Sequence, residues 1–459
     1  MGAGSVARPG NDQLAARIAH SAAARAGRMT TFPEFHRWFA GYAEQSYADV
    51  EPVALEDLVG WRIDPVSGGL VHDSGRFFEV QGIEVHHPGA VVPRWRQPII
   101  DQPETGILGI LVAEFDGVPH FLMQAKVEPG NCNGLQLSPT VQATRSNYTR
   151  AHGGRSVPYV EYFRDFARHT VLADVRQSEQ GSWFYRKRNR NMIVEVSEPV
   201  EVLDGFRWLT LGQIHELLAL DDVVNMDSRT VLSCLPFPGS GRPGDEAGSL
   251  HTTGEILSWI TDLRSGTDLR VRPVPLDQVT GWRWRDGRLG HDSGLFFEVM
   301  GVRVRARGRE VNQWTQPMIA AERPGVAAFL TRRIGGVTHV LMQAKVTPGY
   351  VDGVELAPTV QCAPHNYGVL PARARPPFLD EVLDADPRRI RFDTMLSEEG
   401  GRFYHTRNRY LVIETDQDRE DEHPDFRWVA VHQLADLLRH SYYLNVEART
   451  LVACLRSLG

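Results

Sequence analysis

Two polar residues with the spacing of one strand face are the first candidates for chemistry. Gln124 and Lys126 lie two residues apart in an apolar stretch, alternating with Met123 and Ala125. Because successive strand side chains point to opposite faces, Gln124 and Lys126 share one face and the apolar residues the other. That polar face either meets solvent or lines a cavity, and in a cavity Lys126 would donate a proton or stabilise a developing oxyanion.

A second polar group follows a turn that contains proline. Arg145 can hold a diphosphate through parallel hydrogen bonds, while Asn147 offers an amide and Tyr148 a ring for stacking. Further along, four basic residues surround Asn189 within residues 186–190, just before an apolar stretch. Such a run is either a solvated face or the rim of a phosphate site.

Known cofactor and metal motifs do not occur in the sequence. It has no glycine-rich phosphate loop, no H-E-x-x-H and no G-x-S-x-G, and its four cysteines are far apart. His72–Gly75 (His-Asp-Ser-Gly) favours a turn, since adjacent His and Asp side chains of a strand point apart. We therefore expect a reaction run by side chains, with no metal and no cofactor.

Composition narrows the classes of partner. The 459 residues carry a net charge of −7, the wrong sign for a protein whose main ligand is nucleic acid. The best apolar run, residues 106–112, is far shorter than the ~18 residues of a membrane span. The N-terminus also lacks the continuous apolar region of a signal peptide. We expect a cytoplasmic protein that binds small molecules or proteins, neither nucleic acid nor membrane.

The chain is a tandem duplication. Residues 121–130 recur at 340–349 with eight of ten positions identical, and the offset of 219 residues also aligns many other segments. A stretch rich in proline and glycine separates the copies and is typical of a linker. We expect a flexible N-terminus over 1–30, copy one over 31–235, a linker over 236–250 and copy two over 251–459, each copy forming one folding unit.

Within each copy, the apolar periodicity predicts the same order of elements. An amphipathic helix comes first and strands follow. Residues 106–115 and 118–127 flank Asp116-Gly117, the signature of a type I′ hairpin. Thr210 and Asn225 are predicted to cap two later helices. The fold class is therefore α+β, with a mixed or mainly antiparallel sheet and flanking helices in each copy.

Five motifs stand out: Trp95–Pro98, Leu122–Gly130, Ser138–Tyr148, Gly153–Tyr159 and Arg188–Arg190. They resemble the motifs of the NDP-hexose 2,3-dehydratases of deoxysugar pathways, and the resemblance covers essentially residues 30–459. The match implies a tandem of two Nudix-like modules without hydrolase chemistry, a homodimer, and dTDP-4-keto-6-deoxyglucose as substrate. The carboxylate-rich helix that holds Mg²⁺ in Nudix hydrolases is absent from the sequence, consistent with that expectation.

The chemistry of that substrate needs only an acid and a base. In a 4-keto hexose the C3 hydrogen is α to the carbonyl and the C2 hydroxyl is β to it, so a positioned base and an acid for the departing hydroxide suffice. The 4-oxygen must also be stabilised as negative charge builds on it. The product is a 3,4-diketo-2,6-dideoxy sugar nucleotide, for which we expect a functionally coupled 3-ketoreductase.

Copy one is the richer in acid–base groups, so we expect catalysis there. Lys187 aligns with Thr406, and Arg145 aligns with Pro364. The expected catalytic residues are Lys126, Tyr159, Glu161, Tyr162 and Lys187. The expected nucleotide-sugar contacts are Trp95, Gln124, Arg145, Asn147, Tyr148, Arg188 and Asn189. A second site, for nucleotide sugar or for structure alone, is expected at Trp314, Lys345, Asn366, Tyr367 and Arg407.

The competing hypothesis is a protein that binds or senses a nucleotide sugar without catalysis, derived from a duplicated Nudix module. A polar pocket alone fits both readings. What separates them is whether the chain consumes a 4-keto sugar nucleotide unaided.

Overall fold

The computed structural model describes residues 11–46, 48–144, 157–237, 246–306, 312–417 and 423–459. Each copy contains a large mixed sheet and a smaller sheet, with helices against the large one, so the expected α+β class is confirmed. No helix within these residues is long and apolar enough to cross a membrane.

The strands of copy one form most of two sheets. In the large sheet the order is β10-β12-β6-β7-β13, with β9 beside β6 and β8 beside β7. Only the β12/β6 ladder of this sheet is parallel among the described residues. The strands are β1 (Ala48–Val53), β2 (Trp61–Ile63), β3 (Leu70–His72), β4 (Glu79–His86), β5 (Arg94–Asp101), β6 (Gly106–Phe115), β7 (Val118–Val127), β8 (Leu135–Ser138), β9 (Val141–Ala143), β10 (Thr170–Ser178), β11 (Phe184–Tyr185), β12 (Arg188–Glu195) and β13 (Phe206–Thr210).

Copy two repeats this arrangement. Its large sheet has the order β21-β20-β19-β24-β23, with β22 beside β19 and β25 beside β20. The strands are β14 (Arg270–Val274), β15 (Trp282–Arg285), β16 (Arg288–His291), β17 (Glu298–Ala306), β18 (Gln313–Ala320), β19 (Gly325–Ile334), β20 (Val337–Val346), β21 (Val354–Ala357), β22 (Val360–Cys362), β23 (Ile390–Ser397), β24 (Arg407–Glu414) and β25 (Phe426–Ala430).

The predicted hairpin is confirmed. β6 and β7 pair antiparallel, with Phe115 opposite Val118. Asp116 and Gly117 have φ angles of 50° and 77°, the left-handed conformation that a type I′ turn requires at both positions. The hairpin fixes the register of β7, so Gln124 and Lys126 lie together near the end of that strand.

Helices pack against the large sheets, and two of them, Met226–Leu232 and Val446–Arg456, are buried against each other between the copies. As predicted, Thr210 accepts a hydrogen bond from the Gln213 amide, and Asn225 accepts one from Ser228, at the starts of two helices. The helices are Asn11–Ala23, Phe32–Gln45, Val160–Arg164, Leu211–Leu218 and Met226–Leu232 in the first half, and Thr253–Gly266, Leu379–Leu383, Val431–Leu437 and Val446–Arg456 in the second.

Residues 11–23 correct the expectation of a flexible N-terminus through residue 30. They form a helix whose Ile18 is 1% exposed in the core of copy one. Arg17 forms ion pairs with Glu114 and Glu195, at the ends of the neighbouring strands β6 and β12. Apolar burial and these charge contacts hold the helix in place.

The two copies exchange a strand, a pairing that the expectation of one folding unit per copy did not include. β1 of copy one pairs antiparallel with β17 of copy two. In return, β14 of copy two pairs antiparallel with β4 of copy one. Each small sheet therefore contains a strand from the other copy, and neither sheet is complete without both halves of the chain.

Charge explains why the strands pair with the other copy. Glu51 lies opposite Arg303 at 3.1 Å, and Asp49 lies opposite Arg305 at 3.6 Å. In the other small sheet, Arg272 forms an ion pair with Glu84. If β1 paired with β4 and β14 with β17, each within its own copy and in the same register, Glu51 would lie opposite Glu84, and Arg272 opposite Arg303. Like charges directly opposite each other destabilise a ladder, so the charge pattern favours the exchanged pairing.

We expect a double-mutant cycle to measure the interaction energy between Glu51 and Arg303. Glu51→Arg should lower the free energy of unfolding by about 1 kcal/mol, because it places two cations opposite each other. Adding Arg303→Glu should recover most of that loss by restoring an opposite pair. Urea unfolding of the four proteins gives the coupling energy, and strictly additive effects would show that charge does not favour the exchange.

Candidate active site

A cavity of about 860 Å³ opens at the end of β7 and is lined by residues from both copies. Copy one supplies the floor, formed by the ends of β7 and β9 and by the start of β12. Copy two supplies part of the wall, from β18 and the segment 399–402. The strand exchange brings these parts together, since it locks the small sheet of copy two against copy one.

The floor carries a lysine and a carboxylate in direct contact. Lys126 Nζ lies 3.2 Å from Glu128 Oε1, and the two side chains are 14% and 6% exposed. The Gln142 amide donates to the same Glu128 oxygen at 3.0 Å. Gln124, also expected to contact substrate, lines the cavity beside this pair. The carboxylate is thus held in one orientation with its cationic partner next to it.

A second lysine lies on another part of the wall. Lys187 is 5% exposed, lines the cavity and donates a hydrogen bond to the carbonyl of Glu104. Burial lowers the pKa of Lys187 to about 8, against the opposing effect of the Glu179 carboxyl. The sequence placed Lys126 and Lys187 in one site, and the structure brings both into the same cavity.

Asn189 has a structural role that copy two repeats. Its amide nitrogen donates to Glu179 at 2.7 Å, and its carbonyl oxygen accepts from the Gly106 amide at 3.0 Å. Asn408 makes the same two contacts in copy two, with Glu398 at 2.7 Å and Gly325 at 2.8 Å. Both polar atoms of Asn189 are therefore engaged by protein, although the residue lines the cavity.

Copy two contributes Trp314, which the sequence had assigned to a separate second site. The Trp314 indole donates to Gln316 at 2.8 Å, and Gln316 donates to the Gly401 carbonyl at 2.6 Å. All three residues line the cavity that holds Lys126. Trp314 is therefore separated from Lys345 and faces the site in copy one, because its strand belongs to the wall described above.

Arg402 and Glu399 complete the wall from copy two. The Arg402 guanidinium lies over the Phe78 ring at 4.1 Å. The Glu399 side chain accepts a hydrogen bond from the Gly401 amide at 3.0 Å. Burial, followed by the nearby Glu128 carboxylate, raises the pKa of Glu399 to about 7. A carboxyl with that pKa can carry a proton at neutral pH.

The copies meet so closely here that only glycine fits. The Gly130 amide donates to the Gly400 carbonyl at 2.7 Å, and the His405 amide donates to the Gly130 carbonyl at 2.8 Å. A Cβ on Gly130 would overlap the Phe403 carbonyl, and a Cβ on Gly400 would lie 3.0 Å from Glu128 Cβ. The segment around Glu399 is therefore fixed against Glu128.

His72 lines the same cavity within the predicted turn. Its Nδ1 is 2.9 Å from Ser74 Oγ, and Gly75 has a φ of 62°. The turn reading of residues 72–75 is confirmed. His291, the counterpart in copy two, makes the same contact with Ser293 at 2.7 Å, which indicates a structural role shared by both copies.

Tyr159, Glu161 and Tyr162 are not among the described residues that line the cavity. The Tyr159 hydroxyl donates to the Glu201 carbonyl at 2.8 Å and accepts from the Leu203 amide at 2.9 Å, so it anchors a loop. Glu161 is exposed on a short helix, and the Tyr162 ring packs against His169. The structure thus does not bring these three residues together with Lys126.

The remaining copy-one candidates lie elsewhere or outside the described residues. The Trp95 indole donates to Gln97 at 2.9 Å, and its ring packs on the small sheet rather than in this cavity. Arg188 donates to the carbonyl of Arg186 at 3.4 Å, also away from the cavity. Arg145, Asn147 and Tyr148 lie outside the described residues.

Among the described residues, the candidates for a second site contact different parts of the protein. Lys345 Nζ donates to the Gln361 carbonyl at 2.6 Å, and burial lowers its pKa. Asn366 accepts from the Phe296 amide at 3.0 Å, Tyr367 packs in an apolar cluster, and Arg407 forms a 3.0 Å ion pair with Asp222 of copy one. These side chains serve packing and the contact between the copies.

Sequence reasoning missed Glu128, Glu399 and Arg402, although a signal was present. Their counterparts in the other copy are Thr347, Gln180 and Trp183, so all three differ between otherwise similar segments. The comparison that singled out Lys187 against Thr406 would have found them. It would not have shown that Glu399 and Arg402 serve the cavity of copy one.

The model of one protein family, the NDP-hexose 2,3-dehydratases, matches the chain twice, at residues 33–235 and 253–455. The chain belongs to this family. The two matches correspond to the two copies of the repeat. A dTDP-4-dehydro-6-deoxy-α-D-glucopyranose 2,3-dehydratase of Amycolatopsis orientalis is 50% identical over 446 residues, covering 96% of this chain and 93% of that protein.

Two further relatives carry the same name. The protein of Saccharopolyspora spinosa is 48% identical over 472 residues, covering 99% of this chain and 97% of its own length. The protein of Streptomyces violaceoruber is 48% identical over 442 residues, with 94% and 98% covered. Similarity to these 2,3-dehydratases therefore extends over both copies and the linker.

Proposed function

We propose that the chain removes water across C2 and C3 of dTDP-4-keto-6-deoxyglucose in the cavity between the copies. The observation that carries this proposal is the contact between Lys126 and Glu128, a cation and a carboxylate 3.2 Å apart on the cavity floor. The relatives named as dehydratases of this sugar nucleotide support the choice of substrate.

Glu128 is the proposed base and Lys126 the proposed donor to the 4-oxygen. C3 and the 4-oxygen are two bonds apart, so the base at C3 and the oxyanion donor must be neighbours, as these two side chains are. Glu128 removes the C3 proton, and Lys126 stabilises the enolate oxygen that forms. This assignment replaces Glu161, which is exposed and away from the cavity.

Contacts with the rest of the substrate are assigned to the other cavity walls. Lys187 provides a second positive group, and it donates a hydrogen bond to the carbonyl of Glu104. Trp314 offers an aromatic surface from copy two. We keep Arg145, Asn147 and Tyr148 as proposed nucleotide contacts, because Thr144 and Val157, on either side of that segment, line the cavity.

The finer expectations from the sequence stay proposals. These are a Nudix-like architecture for each copy, assembly as a homodimer and a cytoplasmic location. A coupled 3-ketoreductase follows from the chemistry, because a 3,4-diketo sugar is reactive and must be consumed.

The test is to incubate the pure chain with dTDP-4-keto-6-deoxyglucose, with and without a 3-ketoreductase and its nicotinamide cofactor. We expect the substrate to be consumed by the chain alone, and a 2-deoxy product to accumulate when the reductase traps it. Binding without consumption would instead support the non-catalytic nucleotide-sugar protein.

A further inference from the structure

A carboxyl group from copy two stands beside the proposed base. Glu399 lines the cavity, and its Oε2 is buried with no hydrogen-bond partner among the described residues. The next residue, Gly400, is hydrogen-bonded to Gly130 and packs against the Glu128 side chain. A buried carboxylate oxygen without a hydrogen-bond partner costs free energy. The Glu399 carboxyl is therefore expected to carry a proton or to bind a ligand.

The order of groups in the cavity matches the order of reacting atoms in the sugar. Lys126 Nζ lies 3.2 Å from Glu128, and Gly400, the residue next to Glu399, packs against the Cβ of Glu128. In the substrate, the 4-oxygen, C3 and C2 follow in the same sequence. With Lys126 at the 4-oxygen and Glu128 at C3, the group beyond Glu128 falls at C2.

We propose that Glu399, supplied by copy two, is the general acid that protonates the departing C2 hydroxyl. This inference rests on the proposed function and adds the residue that completes it. It also gives copy two a part in catalysis, as the source of the acid.

The elimination then balances in three steps. Glu128 takes the proton from C3, and the C3–H electron pair forms a C3–C4 double bond while the 4-oxygen becomes an enolate held by Lys126. The enolate then reforms the carbonyl, a C2–C3 double bond forms, and the C2–O bond breaks as Glu399 gives its proton, releasing water. The resulting enol loses its O3 proton and gains one at C2 to give the 3,4-diketone, and proton return from Glu128 to Glu399 restores both groups.

Other acids in the cavity fit this role less well. Asp227 also lines the cavity, and burial raises its pKa well above the ordinary range. However, Glu447 is its counterpart in copy two, so a carboxyl at this place is common to both copies. The same holds for Glu179, which lines the cavity with an unpaired Oε2 and has Glu398 as its counterpart. Lys187 is engaged by the Glu104 carbonyl. Glu399, in contrast, corresponds to Gln180, so the equivalent place in copy one holds no carboxyl.

The decisive variant is Glu399→Gln, which installs the residue type of the counterpart Gln180. We expect kcat to fall about 10²-fold with KM little changed, because the acid acts in the transition state. An analogue with fluorine in place of the C2 hydroxyl has a leaving group that needs no protonation. Fluoride release from it should therefore be nearly as fast in Glu399→Gln as in the unaltered chain, whereas Glu128→Gln should lose both reactions.

Three outcomes would overturn the proposal. Equal losses of Glu399→Gln on the hydroxyl and fluoro substrates would reduce Glu399 to a structural role. Rescue by fluorine in Asp227→Asn but not in Glu399→Gln would assign the acid to Asp227. Full activity of Glu399→Gln would remove it from the reaction. None of these outcomes contradicts the proposed dehydratase function. That function would be wrong only if the unaltered chain did not consume the 4-keto sugar.

The pH profile provides an independent measurement. A general acid must be protonated, so kcat should decline as the pH rises through the pKa of Glu399. In Glu399→Gln this decline at high pH, the basic limb of the pH profile, should vanish. The matched control is Glu355→Gln. Burial raises the pKa of Glu355 to about 7 as well, but it bonds Ser178 at 2.6 Å and does not line the cavity, so its variant should keep the limb. The charged groups that act on Glu399 are Glu128, Arg402, Glu179, Lys126 and Asp227.

A limb retained in Glu399→Gln would contradict the assignment. Lys187, whose pKa is about 8, would then be the group to examine.

Discussion

Glu128→Gln is expected to lower kcat by about 10³–10⁴-fold, near the upper end of the range for losing a positioned base. Glutamine keeps the shape of the side chain and its hydrogen bond from Gln142, but it cannot accept the C3 proton. KM should change little, because the substrate is not held mainly by this group. Exchange of the C3 hydrogen with deuterated solvent should be lost in parallel with turnover.

The informative comparison is with Glu161→Gln. Glu161 was among the expected catalytic residues, whereas the structure places Glu128 beside Lys126 and leaves Glu161 exposed. Steady-state kinetics on both variants decides between the two carboxylates. A large loss in Glu161→Gln with little change in Glu128→Gln would make the cavity assignment wrong.

The second large effect is expected at Lys126. Lys126→Met keeps most of the side-chain stem and removes the ammonium that faces Glu128, so kcat should fall about 10²–10³-fold, as when one oxyanion donor is lost. The same change at Lys345 should cost no more than a few-fold. Lys345 occupies the equivalent place on β20, but its ammonium is engaged by the Gln361 carbonyl, away from the cavity.

The activities of these two variants also show whether the chain has one active site or two. One site predicts that Lys126→Met abolishes nearly all product formation while Lys345→Met preserves it. Two working sites predict that each change removes about half. Thermal unfolding of both proteins, measured beside the kinetics, separates lost chemistry from lost folding.

Local features of the fold could be predicted from the sequence because local rules determine them. Asp116-Gly117 has the two positive φ angles that join strands of matching twist, so both strands of the hairpin were bounded correctly. Thr210 and Asn225 cap helices through hydrogen bonds to amides three residues along the chain. None of these features depends on distant residues.

Pairing between distant segments could not be predicted in the same way. The patterns of β1 and β14 indicate strands but do not say which sheet each one joins. The choice depends on the charges of partners such as Arg303 and Glu84, far away in sequence. The exchange in turn brings Trp314 to the site of the other copy, which a comparison made within one copy cannot show.

Only part of the candidate site could be predicted from the sequence, because the rest depends on contacts between distant segments. Lys126 and Gln124 follow from the two-residue period of β7, and both line the cavity. Tyr159, which aligns with Phe378 in the other copy, was among the expected catalytic residues, yet its hydroxyl holds a loop. A difference between copies marks a change of environment, and only the three-dimensional contacts show whether that environment is a cavity.

The most direct test of a single site shared by both copies is a crystal structure of Glu128→Gln with dTDP-4-keto-6-deoxyglucose bound. We predict that the sugar lies in the cavity, with C3 about 3–3.5 Å from the side chain of residue 128, the 4-oxygen toward Lys126 and C2 toward Glu399. A sugar ring seated in copy two against Lys345, or one whose C3 faces away from residue 128, would contradict the account.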